Sequence, residues 1–184
     1  LNTNLYLNKK NLDPNKSFEK GLSFVSKEIV VLSDQDDIWI RNRLFNIKNI
    51  LKRHDFCTLN SFHWEHAKNE LKDNSKLTFN IVKPTKNLLR NLIKPTFIGC
   101  HIAFKSNFLK YILPFPKIVY MHDLWIGIIA ILSNNIYIDY HPSMLYRRHI
   151  NCFTPKKTSL FFKLKCRFRY LITILIAKIR LLVM

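Results

Sequence analysis

Three carboxylates, Asp34, Asp36 and Asp37, crowd into four residues directly after the apolar run Glu28-Ile29-Val30-Val31-Leu32-Ser33. Like charges held so close repel one another, so a cation is expected among them. In open α/β sheets, ligands bind in the crevice beyond the carboxyl ends of the strands. Hard divalent ions such as Mg²⁺ or Mn²⁺ take one or two carboxylates there and complete their shells with phosphate oxygens and water. The alternative is a helix cap, because Asp suits an N-cap and the positive end of the helix dipole. One Asp can serve as a cap; three together ask for more.

Two further groups could do chemistry. Met121-His122-Asp123-Leu124-Trp125-Ile126 places one acid at the opening of an apolar helix. Alone it reads as a cap with Trp125 in the core. Tyr146-Arg147-Arg148-His149 puts cations and an imidazole after a short strand, and alone reads as a solvated basic loop. His63 and His66 form an H-x-x-H, but no thiol or third imidazole stands at a ligand spacing.

These residues need a scaffold, and apolar periodicity supplies one. A short helix is expected over Lys16 to Ser26, then the strand Glu28 to Ser33, buried on both faces as in a mainly parallel sheet. A helical stripe follows over Arg41 to His54, then a strand at Phe56 to Phe62 and a polar excursion from Trp64 to Lys83. A helix over Thr85 to Ile93, a strand over Thr96 to Phe104 and a helix over Ser106 to Leu113 come next. The Met121 to Ser133 helix precedes two short strands, Ile136 to Tyr140 and Met144 to Arg147. Strands alternating with helices define an α/β class.

The 184 residues carry 30 Lys plus Arg against 12 Asp plus Glu, a net charge of +18. With 48% hydrophobic residues the chain can fill a core, which excludes intrinsic disorder. Only 3 glycines occur, too few for a G-x-G-x-x-G dinucleotide loop or a P-loop. The 4 cysteines are scattered without a C-x-x-C, as expected of reduced cytosolic thiols. The Asn- and Lys-rich beginning lacks a secretory pattern.

No acidic residue follows Asp139, whereas Lys163, Lys165, Arg167, Arg169, Lys178 and Arg180 interleave with Leu and Phe towards the end. The uncharged stretch from Tyr170 to Ala177 is far below the roughly 20 residues a spanning helix needs. A basic amphipathic helix lying in a membrane interface is expected, with a helix packed on the domain as the alternative. The charge also raises nucleic-acid binding, although these cations lie on an apolar tail and not in a groove. A phosphotransferase built on the D-x-D turn would want a hydroxyl soon after the second Asp, and Asp37-Ile38-Trp39 stands there.

Taken in order, Val31-Leu32-Ser33-Asp34-Gln35-Asp36-Asp37-Ile38-Trp39, Phe97-Ile98-Gly99-Cys100-His101-Ile102-Ala103-Phe104, Leu113-Pro114-Phe115-Pro116 with Met121-His122-Asp123-Leu124-Trp125-Ile126, and Leu145-Tyr146-Arg147-Arg148-His149 resemble family 2 glycosyltransferases. The resemblance is to the bacterial rhamnosyltransferase-like, polysaccharide-building branch. It implies a GT-A fold, a mixed sheet flanked by helices, over residues 1–155, followed by the basic helix of residues 156–184. It also implies inverting sugar transfer from a nucleotide-diphosphate donor to a cell-envelope glycan or lipid-linked acceptor. The enzyme would sit at the anionic inner face of the membrane, with no nucleic-acid partner. By that resemblance Asp36 and His149 would ligate Mg²⁺ or Mn²⁺, while Asp34, Asp37, Gly99 and Arg147 would contact the donor. Asp123 would be the general base, and Trp39 or Trp125 could face a sugar. The family's first strand, ending in a Thr-Tyr-Asn-like turn, and its second, ending in an Asp-Asp-Gly-Ser-like segment, are not found, implying an amino-terminally truncated domain with an open sheet edge. Ile150 stands after His149 where the family commonly has Gly.

Overall fold

The computed structural model describes residues 3–65, 76–148 and 159–183. The helix α1 (Pro14–Ser23) starts where Asp13 accepts the Lys16 N–H at 2.9 Å and Pro14 fits the first turn. It leads to β1 (Ile29–Val31), β2 (Ile38–Trp39), α2 (Arg43–Leu51) and β3 (Phe56–Glu65). Two short helices, α3 (Thr78–Val82) and α4 (Leu88–Ile93), precede a 3₁₀ turn at Gly99–His101, then β4 (Ile102–Lys105) and α5 (Leu109–Ile112). The chain continues through α6 (His122–Leu132), β5 (Ile136–Arg148) and α7 (Leu160–Val183).

The 5 strands form one mixed sheet in the order β1-β4-β3-β5-β2. The expected mainly parallel sheet is not found: β3 and β5 are parallel, while the β1/β4, β3/β4 and β2/β5 ladders are antiparallel. The burial of β1 on both faces misled the reading, since an apolar run reports cover and not strand direction. Val30 and Leu32 face the main core, and Ile29 and Val31 pack towards the smaller cluster of Ile47, Leu51 and Leu59 beneath α2. Between α1 and β1 runs an apolar groove of about 370 Å³, lined by Phe18, Leu22, Val25 and Leu32.

Other boundaries also differ from the sequence reading: the strand expected over Thr96 to Phe104 begins only at Ile102, and the excursion from Trp64 to Lys83 contains α3. The strands expected at Ile136 and Met144 are one strand, β5, whose register with β3 shifts around Asn60. The side chain of Asn60 repairs that irregularity: its Nδ2 donates to the Tyr140 carbonyl at 2.8 Å, and its Oδ1 accepts the N–H groups of Ser61 and Phe79. Every backbone group freed by a bulge needs such a partner. The helix expected from Ser106 is a 3₁₀ turn followed by the 4 residues of α5.

The main core lies between the sheet and α1, α5, α6 and α7. Trp125, Ile126, Ile128 and Ile129 of α6 are fully buried, and Trp125 Nε1 donates to the Ile112 carbonyl at 2.8 Å. Trp125 is therefore a core residue with its polar tip satisfied. Gly127 lets α6 approach closely, because a Cβ there would lie 2.4 Å from the Phe97 ring. Tyr170 and Ala177 of α7 belong to the same core.

Candidate functional site

The turn after β1 crosses from one edge of the sheet to the other. Leu32 still donates to the Ile102 carbonyl beside β1, and six residues later Ile38 pairs with Leu145 of β5. The acidic residues are thereby laid against the Gly99–His101 turn that opens β4. Carboxylate oxygens of Asp34 and Asp37 and the sulfur of Cys100 all lie within 4.8 Å of one another.

That turn is held from several sides. Arg43, buried beneath it, donates to the Cys100 carbonyl at 2.8 Å and to Ser143 Oγ. His101, fully buried, meets Ser61 Oγ at 3.0 Å, and Ser61 meets Thr78 Oγ1 at 2.7 Å. Burial holds the His101 ring neutral, with its pKa lowered to about 3. The network is structural: it fixes where Cys100 and Gly99 stand.

Electrostatically the cluster is unbalanced. Burial, then the charge of Asp37 and more weakly that of Asp36, raises the pKa of Asp34. Burial also raises Asp37, opposed by the N–H of Arg147, which donates to Oδ1 at 3.0 Å, and by the Cys100 thiol and the Arg43 charge. Cys100 is pushed well above the usual thiol range by burial and by the two neighbouring carboxylates. Asp37 Oδ2 is buried with no hydrogen-bond partner, so an oxygen is available to a ligand. The carboxylates of Asp34 and Asp37 at this spacing fit a hard divalent ion, whereas the protonated thiol of Cys100 is no ligand for one.

Asp123 approaches the cluster from α6. It does not cap that helix, since Met121 holds the N-cap position without a side-chain bond. Its Oδ1 accepts the Leu124 N–H at 2.7 Å, and its carboxylate also draws on the Gly99 N–H. Burial pushes its pKa up to about 6, and the charge of Asp34 adds to the rise. The two acidic groups therefore share one electrostatic neighbourhood around Gly99. Gly99 is required by close approach: a Cβ there would lie 2.6 Å from His122 Nε2. His122 stacks on Phe18 at 3.8 Å, and burial lowers its pKa to about 4.

The structure thus brings Asp34, Asp37, Gly99, Asp123 and the backbone of Arg147 together, with Asp36 acting on Asp34 and Asp37 through its charge. The Arg147 guanidinium stacks over Trp64 at 4.5 Å, and Trp39 is covered by Arg43 at 5.4 Å. His149 and His66 lie outside the described residues, as does the side chain of Arg148. Sequence reasoning missed Cys100 and Arg43. Nothing in the spacing of four scattered cysteines marks Cys100, and Arg43 looks like a surface cation of an amphipathic helix.

A mixed α/β sheet flanked by helices, with acids collected where the strands end, is compatible with the fold of nucleotide-sugar transferases. The chain is 28% identical over 117 residues to the UDP-Glc:alpha-D-GlcNAc-diphosphoundecaprenol beta-1,3-glucosyltransferase WfgD of Escherichia coli, covering 63% of this chain and 43% of that protein. It thus spans less than half the length of this curated relative. The similarity supports a glycosyltransferase role in general. No family model matches the chain, and no solved structure matches it.

Proposed function

We propose that the chain carries the catalytic half of an inverting, metal-dependent glycosyltransferase that moves a sugar from a nucleotide-diphosphate donor to a hydroxyl of a glycan or lipid-linked acceptor. The observation that carries this reading is the meeting of the Asp34–Asp37 turn and Asp123 around the Gly99–His101 turn. The WfgD name, which includes a diphosphoundecaprenol-linked acceptor, supports the acceptor class.

Asp34 and Asp37, with the charge of Asp36 beside them, would hold Mg²⁺ or Mn²⁺. When bound, the ion supplies neutralisation of the charge that develops on the departing diphosphate. Asp123 takes the proton of the acceptor hydroxyl while its oxygen bonds to the anomeric carbon and the bond from that carbon to the diphosphate breaks. A base with a pKa near 6 is mostly ionised at neutral pH yet still basic enough to accept a proton. Turnover is therefore expected to rise with pH as Asp123 ionises, along a limb that the bound cation draws below the metal-free value of about 6. Arg147 positions the turn by its N–H to Asp37, and His149 remains a proposed further metal contact.

The test is calorimetric titration of uridine diphosphate in Mn²⁺, alongside turnover of the nucleotide sugar. Asp37→Asn is expected to lose nucleotide binding that depends on Mn²⁺. Asp123→Asn is expected to keep it and lose turnover. Equal loss of binding in both variants would show that Asp123 holds the donor and is not the base.

A further inference from the structure

The helix α7 presents two different surfaces. Tyr170, Thr173 and Ala177 are buried against the domain, and three arginines tie the helix down through main-chain carbonyls: Arg167 to Ile93, Arg169 to Ile118, and Arg180 to Tyr111 and Pro114. On the opposite side, Phe161, Leu164, Phe168, Leu171, Leu175 and Ile179 are each between 50% and 77% exposed. They recur every three or four residues, a strip about 80° wide at ~100° per residue. Such a continuous apolar stripe is unusual on a monomer's water-facing surface.

The cations divide along the same line. The arginines are engaged with the fold, whereas Lys165 and Lys178 are exposed along the two margins of the stripe. Three occupants could cover such a face. Crossing a bilayer is excluded for α7, since no helix among the described residues is long and apolar enough. A second copy would set lysine against lysine, because no acidic residue follows Asp139 and coiled-coil flanks want opposite charges. An anionic lipid surface complements both the apolar strip and its lysine margins.

We infer that α7 is an in-plane docking helix for an anionic phospholipid bilayer, inserting the Phe161 to Ile179 stripe between headgroups while Lys165 and Lys178 contact their phosphates. The helix is about 36 Å long from its 24 residues, so it lies along the surface and carries the domain rigidly with it. This inference stands on α7 alone and does not depend on the sugar chemistry.

The experiment is sedimentation of the full chain with vesicles of phosphatidylcholine and phosphatidylglycerol in equal parts, and with vesicles of phosphatidylcholine alone. The chain is expected to sediment with the mixed vesicles, and less so as salt rises. The double variant L171E/L175E, whose sites face away from the core, is expected to lose sedimentation while keeping its circular dichroism. K165Q/K178Q is expected to weaken binding by roughly 25-fold, about five-fold per lysine, and to remove the preference for anionic lipid. Equal binding to both vesicle types, or undiminished binding by L171E/L175E, overturns the proposal. So does a chain that ignores vesicles and forms a dimer which L171E/L175E dissociates. Asp34→Asn is expected to leave sedimentation unchanged, which separates this outcome from failure of the transferase reading.

Discussion

The acidic turn after β1 and the basic helix α7 are opposite answers to the same problem of crowded like charge. In α7 the charges are either matched, each of Arg167, Arg169 and Arg180 donating to a carbonyl, or left in water. At the turn, Asp34 and Asp37 are half-buried against each other and against a thiol, and their pKa values rise. Arg43 reaches Asp37 through its charge, but its hydrogen bonds go to Ser143 and the Cys100 carbonyl. Satisfied charge marks structure, whereas buried and unmatched charge marks a place for a ligand. The tail holds more charge than the turn, yet the turn is where chemistry is expected.

The most severe way to break this comparison is to remove Asp123, the acid on α6 that meets the Gly99–His101 turn. Asp123→Asn is expected to lower turnover by about 10² to 10⁴-fold, the usual contribution of a general base, with Mn²⁺-dependent nucleotide affinity retained. A fall below ten-fold would leave Asp123 a structural acid of α6. Next in size is the response to metal. Saturating Mn²⁺ at pH 8 is expected to stabilise the fold by about 2 to 3 kcal/mol, raising Tm by roughly 5 °C, with a smaller effect as pH falls and protons compete with the ion for the carboxylates. Asp37→Asn is expected to abolish that rise in a thermal melt.

Gly99→Ala sharpens the geometry, because the new methyl meets the His122 ring. A cost of about 1 to 3 kcal/mol, read from denaturant unfolding, is expected for such overpacking. The smallest effect concerns the chain without metal. The folded pKa values of Asp34, Asp37 and Asp123 are raised, so the folded state holds protons that the unfolded chain has already released. Stability is then greatest below the ordinary carboxylate range and declines as pH rises through the raised values. Asp37→Asn, which mimics the protonated acid, is expected to flatten that decline, measured as Tm from pH 4 to pH 8 without added metal.

Much of this arrangement was legible from residue types. Three acids after an apolar strand marked the turn as a candidate site, because such crowding is costly wherever it folds, whereas Asp123 alone read as a helix cap and was singled out only through the family resemblance. Strand direction was not legible: Ile29 to Leu32 is apolar on both faces whether its neighbours run parallel or antiparallel. The continuity of β5 through His141 and Pro142 was hidden because it depends on Asn60, eighty residues away from the Tyr140 carbonyl it binds. Cys100 and Arg43 were hidden for a similar reason. Their meaning comes from what packs on them, the turn in one case and the Ser143 and Cys100 acceptors in the other.

The account depends on the turn and Asp123 sharing one site, and the titration of Asp123 reads that sharing directly. Carbon-13 NMR of the labelled carboxylate is expected to give a pKa near 6 without metal and a clearly lower one with saturating Mg²⁺, since a nearby cation favours the ionised form. A titration curve for Asp123 that Mg²⁺ leaves unmoved, while the resonances of Asp34 and Asp37 shift, would contradict it.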